Sequence, residues 1–184
     1  VEQKVEQNVD EKALNQPANL IYEGTIILLM AFAIFLLMAL CSYSAHDPGW
    51  TRVGQIYEIQ NVGGKAGAWV ADLLFTFFGL TALLWPLLLL ERGALFYRER
   101  DTGLSFGWKR VLLRGSGFLL CLTCLATLAT LQQASDQILP NGAGGILGQQ
   151  LSTLLLPMLN LQGTALTAIA LLLLGITLYT DLSW

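Results

Sequence analysis

Four long apolar runs constrain this chain more than any other feature, because each can supply the roughly 20 helical residues needed to cross about 30 Å of hydrocarbon. They are TIILLMAFAIFLLMALCSY at 25–43, about 66–90 through GAWVADLLFTFFGLTALLWPLLLL, 111–131, and about 164–182 beginning TALTAIALLLLGITLYT. Composition agrees: 54% of residues are hydrophobic and 12% charged, against roughly a quarter charged in a soluble domain. The expected fold is an all-α membrane protein with four transmembrane helices. A signal peptide would carry a basic start and a small-residue cleavage site, whereas the first run follows a mixed-charge, Gln/Asn-rich segment, so it is read as a spanning helix.

Orientation follows from the lysines and arginines. Arg92, Arg98, Arg100, Lys109, Arg110 and Arg114 lie between or just inside the second and third runs, whereas the first long loop has only Arg52 and Lys65 and the chain after Leu131 has none. The positive-inside rule makes 91–110 a cytoplasmic loop, 44–65 and 132–163 outer loops, and both termini cytoplasmic, including the weakly ordered tail 1–22 and whatever follows Trp184. The aromatics of the basic loop, Phe96, Tyr97, Phe106 and Trp108, suit interfacial anchoring, with anionic lipid or nucleic-acid contact as the rival reading.

The outer loops hold most of the distinctive residues. In the first, the single histidine opens HDPGW: Asp47 can accept a backbone amide in an Asx turn, Pro48 presets a bend, Gly49 tolerates positive φ and Trp50 suits the headgroup level. His46 has no evident task. The GGK at 63–65 is not a phosphate-binding loop, because Ile59 and Ala66 stand where that motif needs Gly and Ser or Thr. Asn61 precedes these glycines, and Gly63, Gly64 and Gly67 sit where the chain enters the second run, with a small-xxx-small step from Gly63 to Gly67 that allows close backbone approach within the fold or between subunits. Trp69 and Asp72 follow near the outer interface. An ionisable residue in a span is a functional suspect, although in the first turns of a helix it can also reach water and the positive helix end.

The second outer loop, about 30 residues, contains an apolar stretch at 144–159 too short to span. Gly144, Gly145 and Gly148 open it and Pro157 lies near its end, and it reads as a short interfacial or re-entrant helix. Steps such as Ala126 to Thr130 and Thr164 to Ala168 mark further packing faces. Cys121 and Cys124 form a CxxC, but inside an apolar run they read as small packing residues rather than a redox pair. No catalytic, cofactor or metal motif emerges, and the uncharged helix cores argue against a mid-membrane transport site. The alternative function is a small polytopic transporter or channel using Asp72 and the 144–159 segment.

The ordered pieces SYSAHDPGW (42–50), NVGGKAGAWVAD (61–72), FGLTALLWP (78–86), GGILGQQLSTLLLPML (144–159) and TLYTDLSW (177–184) together resemble the N-terminal four-helix membrane region of FtsK/SpoIIIE-type bacterial DNA translocases. The resemblance implies an inner-membrane anchor at the division septum that contacts other division membrane proteins and the bilayer. It also implies oligomerisation, as a hexamer, in support of a cytoplasmic ATP-driven motor that moves DNA during chromosome partition. The motor's motifs are not in this chain, so no catalytic residue, cofactor or nucleic-acid contact carries over to it. From the residues themselves, HDPGW reads as a rigid interfacial turn that shapes an outer loop for protein contacts, and Asn61, Gly63, Gly64, Gly67, Trp69, Asp72, Gly144, Gly145, Gly148 and Pro157 are further structural or interaction candidates.

Overall fold

The computed structural model describes residues 23–51, 59–99, 108–132 and 139–180. The tail 1–22, Arg52, Arg100 and residues 181–184 lie outside that set. Regular structure among the described residues is helical: α1 Glu23–Cys41, α2 Gly64–Phe78, a 3-10 turn Gly79–Leu83, α3 Leu84–Glu99, α4 Trp108–Leu131 and α5 Gly145–Thr180. Four stretches are long and apolar enough to cross a membrane, namely Glu23–Cys41, Gly64–Ala94, Val111–Leu131 and Gly145–Thr180. The described residues are therefore all-helical, in a chain with the helices of a membrane protein.

Two of these stretches, at 31 and 36 residues, exceed the roughly 20 that a crossing requires, and both are interrupted. In the first, Gly79 leaves helical geometry at φ 57°, ψ −142° and a 3-10 turn leads to Pro86, whose fixed φ is tolerated in the first turn of α3. In the second, only Asn160 departs, at φ 57°, ψ 178°. Two helical arms thus meet across Asn160: the first, 145–159, covers the short apolar stretch expected to be helical and joins the last span through a kink rather than a loop. Pro157 lies inside α5, where it removes one hydrogen bond and crowds the carbonyl four residues before it, loosening the helix ahead of the kink. The break falls three residues later, at a residue type that accepts positive φ.

The described helices form two compact units, 1–34 with 86–105 and 35–85 with 106–184. In the first, Met30 of α1 packs over Gly93 of α3, where a Cβ would lie 3.1 Å from the Met30 sulfur. In the second, a small core gathers Leu40, Ala71, Phe75 and Ala82, with Tyr43, Leu74, Phe78 and Leu139 against it. The buried positions of α2, Gly67, Ala68, Ala71, Asp72, Phe75 and Thr76, recur at helical spacing and are mostly small, which lets neighbouring backbone come close. A run of ring contacts joins Phe78 to Trp85, Trp85 to Phe118 and Phe118 to Tyr179, with centroids 5.5, 5.5 and 6.0 Å apart. Alongside it α4 and α5 meet at glycine: a Cβ on Gly117 would lie 2.8 Å from the Gly175 carbonyl oxygen and one on Gly175 2.8 Å from the Cys121 sulfur.

Candidate interaction site at the end of the first helix

The polar groups that the apolar runs lack are concentrated where α1 ends and α2 begins. A helix leaves its last four carbonyls and first four N–H groups unpaired, and in a membrane-embedded fold each must find a partner. Asn61 serves both ends at once. Its Nδ2 donates to the carbonyls of Ala39 (2.7 Å) and Ser42 (3.4 Å) at the end of α1, and its Oδ1 accepts the Gly63 N–H (2.8 Å) at the start of α2. Gly63 and Gly67 make room for it: a Cβ on Gly67 would collide with Asn61 Oδ1, and one on Gly63 would lie 2.9 Å from the Gly67 Cα. The small-xxx-small step thus supports packing inside this chain. Gly64 adopts φ 63°, and its Cβ position is open.

Asp47 holds Asn61 in place. Its two carboxylate oxygens accept the consecutive backbone N–H groups of Gln60 (2.9 Å) and Asn61 (2.8 Å), and Asp47 is 6% exposed. The local Asx turn expected for this residue is replaced by a clip to chain 13 and 14 positions away. The HDPGW stretch is still bent by Asp47 N–H donating to the Ser44 carbonyl (3.2 Å). His46 is exposed, and its backbone N–H donates to Ser44 Oγ at 3.3 Å. Pro48 and Gly49 are half-buried. A Cβ on Gly49 would lie 2.5 to 2.7 Å from the Asp72 side chain, so this glycine is set by close approach. Trp50 stays half-exposed and stacks on Phe77 at 5.6 Å and 23°.

Asp72 lies deeper than its sequence position suggested, at 3% exposure. Oδ1 accepts from the Tyr43 hydroxyl (3.2 Å), and Oδ2 from both the Thr51 N–H and the Thr51 hydroxyl (2.8 Å each). A carboxylate holding three donors in a buried setting is a brace, fixing the connection after α1 against the side of α2. Trp69, by contrast, is 52% exposed and takes no part in this network. Tyr43, Thr51 and Ser42 are not among the sequence candidates, although Ser42 and Tyr43 open SYSAHDPGW. Ser42 Oγ donates to Met38 O (2.6 Å) and accepts the Val62 N–H (3.0 Å). Only Ser42's place at a helix end and the hydroxyl-rich SYS could have pointed to it.

The predicted glycines at 144–148 form a second centre. Gly144 and Gly148 lie against α4, where a Cβ on either would collide with Thr130 Oγ1 and the Ala126 carbonyl. Gly145, at φ 60°, lies against the break after α2, 2.7 Å from Phe77 O and 2.5 Å from Gly79 N by the same measure. The Leu80 N–H donates to the Ala143 carbonyl at 2.8 Å, so the turn before α5 satisfies backbone that the break would otherwise leave bare. Pro157 is exposed and belongs to neither centre. Among the described residues no group of three or more His, Cys, Asp or Glu could hold a metal ion.

Comparison with known proteins agrees with this architecture. Residues 18–184 match the family described as the 4TM region of DNA translocase FtsK/SpoIIIE. The chain is 38% identical over 167 residues to the DNA translocase FtsK of Pseudomonas putida, 36% over 162 to that of Shewanella oneidensis and 38% over 163 to that of Vibrio vulnificus. Each alignment covers 88% of this chain but only 19%, 18% and 16% of the relative, so the chain spans about a fifth of their length. No solved structure matches. With four spans and a match over nearly its whole length, the chain belongs to the family of FtsK/SpoIIIE four-span membrane regions.

Proposed function

We propose that this chain is the membrane anchor and assembly module of a cell-division DNA translocase. It holds the protein in the inner membrane at the septum, contacts other division proteins and supports oligomerisation of a cytoplasmic motor. The family match over residues 18–184 carries this reading. The use of polar groups supports it against a transporter or channel: Asp72, the acid nearest a span interior, is enclosed by Tyr43 and Thr51, whereas a permeation path needs groups that can exchange partners with a passing ion. The arm of α5 before Asn160 exposes Gln149, Gln150 and Thr153 beside Leu154 and Met158, a mixture suited to the boundary between headgroups and acyl chains.

A fluorescent fusion of the chain is expected to concentrate at the division site; uniform staining of the cell envelope would sink the proposal. Topology has its own test. Trp50→Cys should react with a membrane-impermeant maleimide in intact cells, and Lys109→Cys only after lysis. The opposite pattern would place both termini outside. For the rival reading, vesicles containing the chain should show no solute flux that Asp72→Asn abolishes.

A further inference from the structure

The two centres share a backbone pattern at a fixed spacing. Adding 81 to Gly63, Gly64, Gly67 and Gly79 gives Gly144, Gly145, Gly148 and Asn160. The backbone repeats with the same offset. Gly64 and Gly145 have φ 63° and 60°, and Gly79 and Asn160 both have φ 57°. Gly64 N–H donates to Asn61 O at 2.9 Å and Gly145 N–H to Gly142 O at 3.3 Å; Gly67 N–H donates to Gly63 O and Gly148 N–H to Gly144 O, both at 3.0 Å. The glycine pair leaves room for a polar side chain in each half, although the two side chains differ in type and position. Between Gly63 and Gly67 sits the Asn61 amide, donating to the Ala39 carbonyl of α1 at 2.7 Å; against Gly144 and Gly148 sits the Thr130 hydroxyl, donating to the Ala126 carbonyl of α4 at 3.0 Å. In each half a span is followed by a connection, a GG-x-x-G helix start, a positive-φ break and a second span.

Besides the Trp85–Phe118 ring contact and Leu139 against the small core, the halves meet backbone to backbone in an asymmetric contact. The break of the first, Gly79–Leu80, docks on the turn Ala143–Gly145 of the second. The equivalent contact would bring Asn160–Leu161 onto Val62–Gly64. Within the chain those surfaces are open: Val62 is 72% and Leu161 56% exposed, Asn160 is exposed, and nothing lies within 4 Å of the Gly64 Cβ position. We propose that this chain is a tandem repeat of one two-span unit, and that copies associate head to tail, Val62–Gly64 of one against Asn160–Leu161 of the next.

The occupant follows from the repeat itself. A surface whose equivalent is already filled by the other half of this chain is complementary to that half in a second copy. Each half contributes two of the four spans and so begins and ends on one side, which gives every copy the same orientation in the membrane. A head-to-tail contact of this kind propagates in the membrane plane with all copies in the same orientation, and closes into a ring where the rotation permits. The inference rests on the oligomeric reading above and supplies its contact.

The test is disulfide cross-linking of the full protein in its native membrane, with Cys41→Ser, Cys121→Ala and Cys124→Ala as background. All variants are first matched to that background for membrane level, and septal fluorescence is recorded in parallel. On oxidation, Val62→Cys with Leu161→Cys in one chain is expected to give a ladder of oligomers, and the two single variants co-expressed to give a dimer and nothing larger. Neither single variant alone, nor Leu112→Cys with Leu161→Cys, should cross-link. No ladder, a ladder from either single variant, an equal ladder from the Leu112 pair, or a product with a different protein only would each overturn the contact. Septal fluorescence without a ladder leaves the anchor reading standing, and a ladder with uniform staining rejects septal anchoring while leaving the contact intact.

Discussion

Gly79→Ala is expected to lower the thermal midpoint of the purified protein by roughly 10 °C, whereas Gly115→Ala leaves it unchanged or slightly raised. Two costs add at Gly79. Its φ of 57° with ψ of −142° is a conformation open to glycine and strained by about 1–3 kcal/mol for other residues. The new methyl would also sit against backbone, 2.5 Å from the Ala143 carbonyl carbon and 2.6 Å from Gly145 N, and backbone cannot yield as a flexible side chain does. Overpacking of that kind costs about another 1–3 kcal/mol, and for a chain of this size each kcal/mol moves the midpoint by about 2–4 °C. At Gly115, in the interior of α4, a Cβ meets nothing within 4 Å, and alanine gains about 0.5–1 kcal/mol of helix propensity. Differential scanning fluorimetry in detergent compares the two directly. Equal midpoints would mean that the Gly79 break is not docked on the turn before α5. Limited proteolysis of Gly79→Ala should cut first near residues 139–145, the segment the methyl displaces.

The spans were legible because their cause is one-dimensional: bilayer thickness demands a run of apolar residues, and a run can be read without knowing what it touches. The break at Gly79 was not. FGLTALLWP is as apolar as its surroundings, and what permits the break is the Ala143 carbonyl, 63 positions from Leu80 in the chain. The same reason separates Asp47 from its expected role. A local Asx turn is the default for an aspartate before Pro-Gly, but Gln60 and Asn61 return to α1 and offer it two N–H groups at once. The glycines at 63–67 and 144–148 were legible as sites of close approach. What approaches them, Asn61 in one half and Thr130 in the other, had to come from the fold, because an amide after a helix and a hydroxyl within one share no sequence pattern.

Asp47→Ala is expected to remove about 3 kcal/mol, and Asp47→Asn roughly half of that. The carboxylate accepts two consecutive N–H groups, and the alanine variant leaves that of Asn61 unpaired in a buried setting, 4% exposed, and that of Gln60 at the exposed edge of the same corner. An unsatisfied buried donor costs about 1–3 kcal/mol. Asparagine keeps one acceptor and turns an NH2 toward the other donor, so one bond survives. The loss does not stop at residues 60 and 61. Asn61 is held by Asp47 and in turn caps Ala39 O, Ser42 O and Gly63 N–H, so releasing its backbone loosens both the end of α1 and the start of α2. Hydrogen exchange should therefore accelerate at 59–64 in Asp47→Ala while the α4–α5 contact around Gly117 and Gly175 keeps wild-type protection, and exchange that rises uniformly would show that Asp47 supports the whole bundle instead. Insertion depends on the apolar runs, which the substitution does not touch, so the variant should reach the membrane at normal levels. If this corner presents the surface that division partners recognise, septal recruitment falls in step with the local exchange rate and is partly restored in Asp47→Asn; normal recruitment with a disordered corner would move the partner-binding surface elsewhere on the chain.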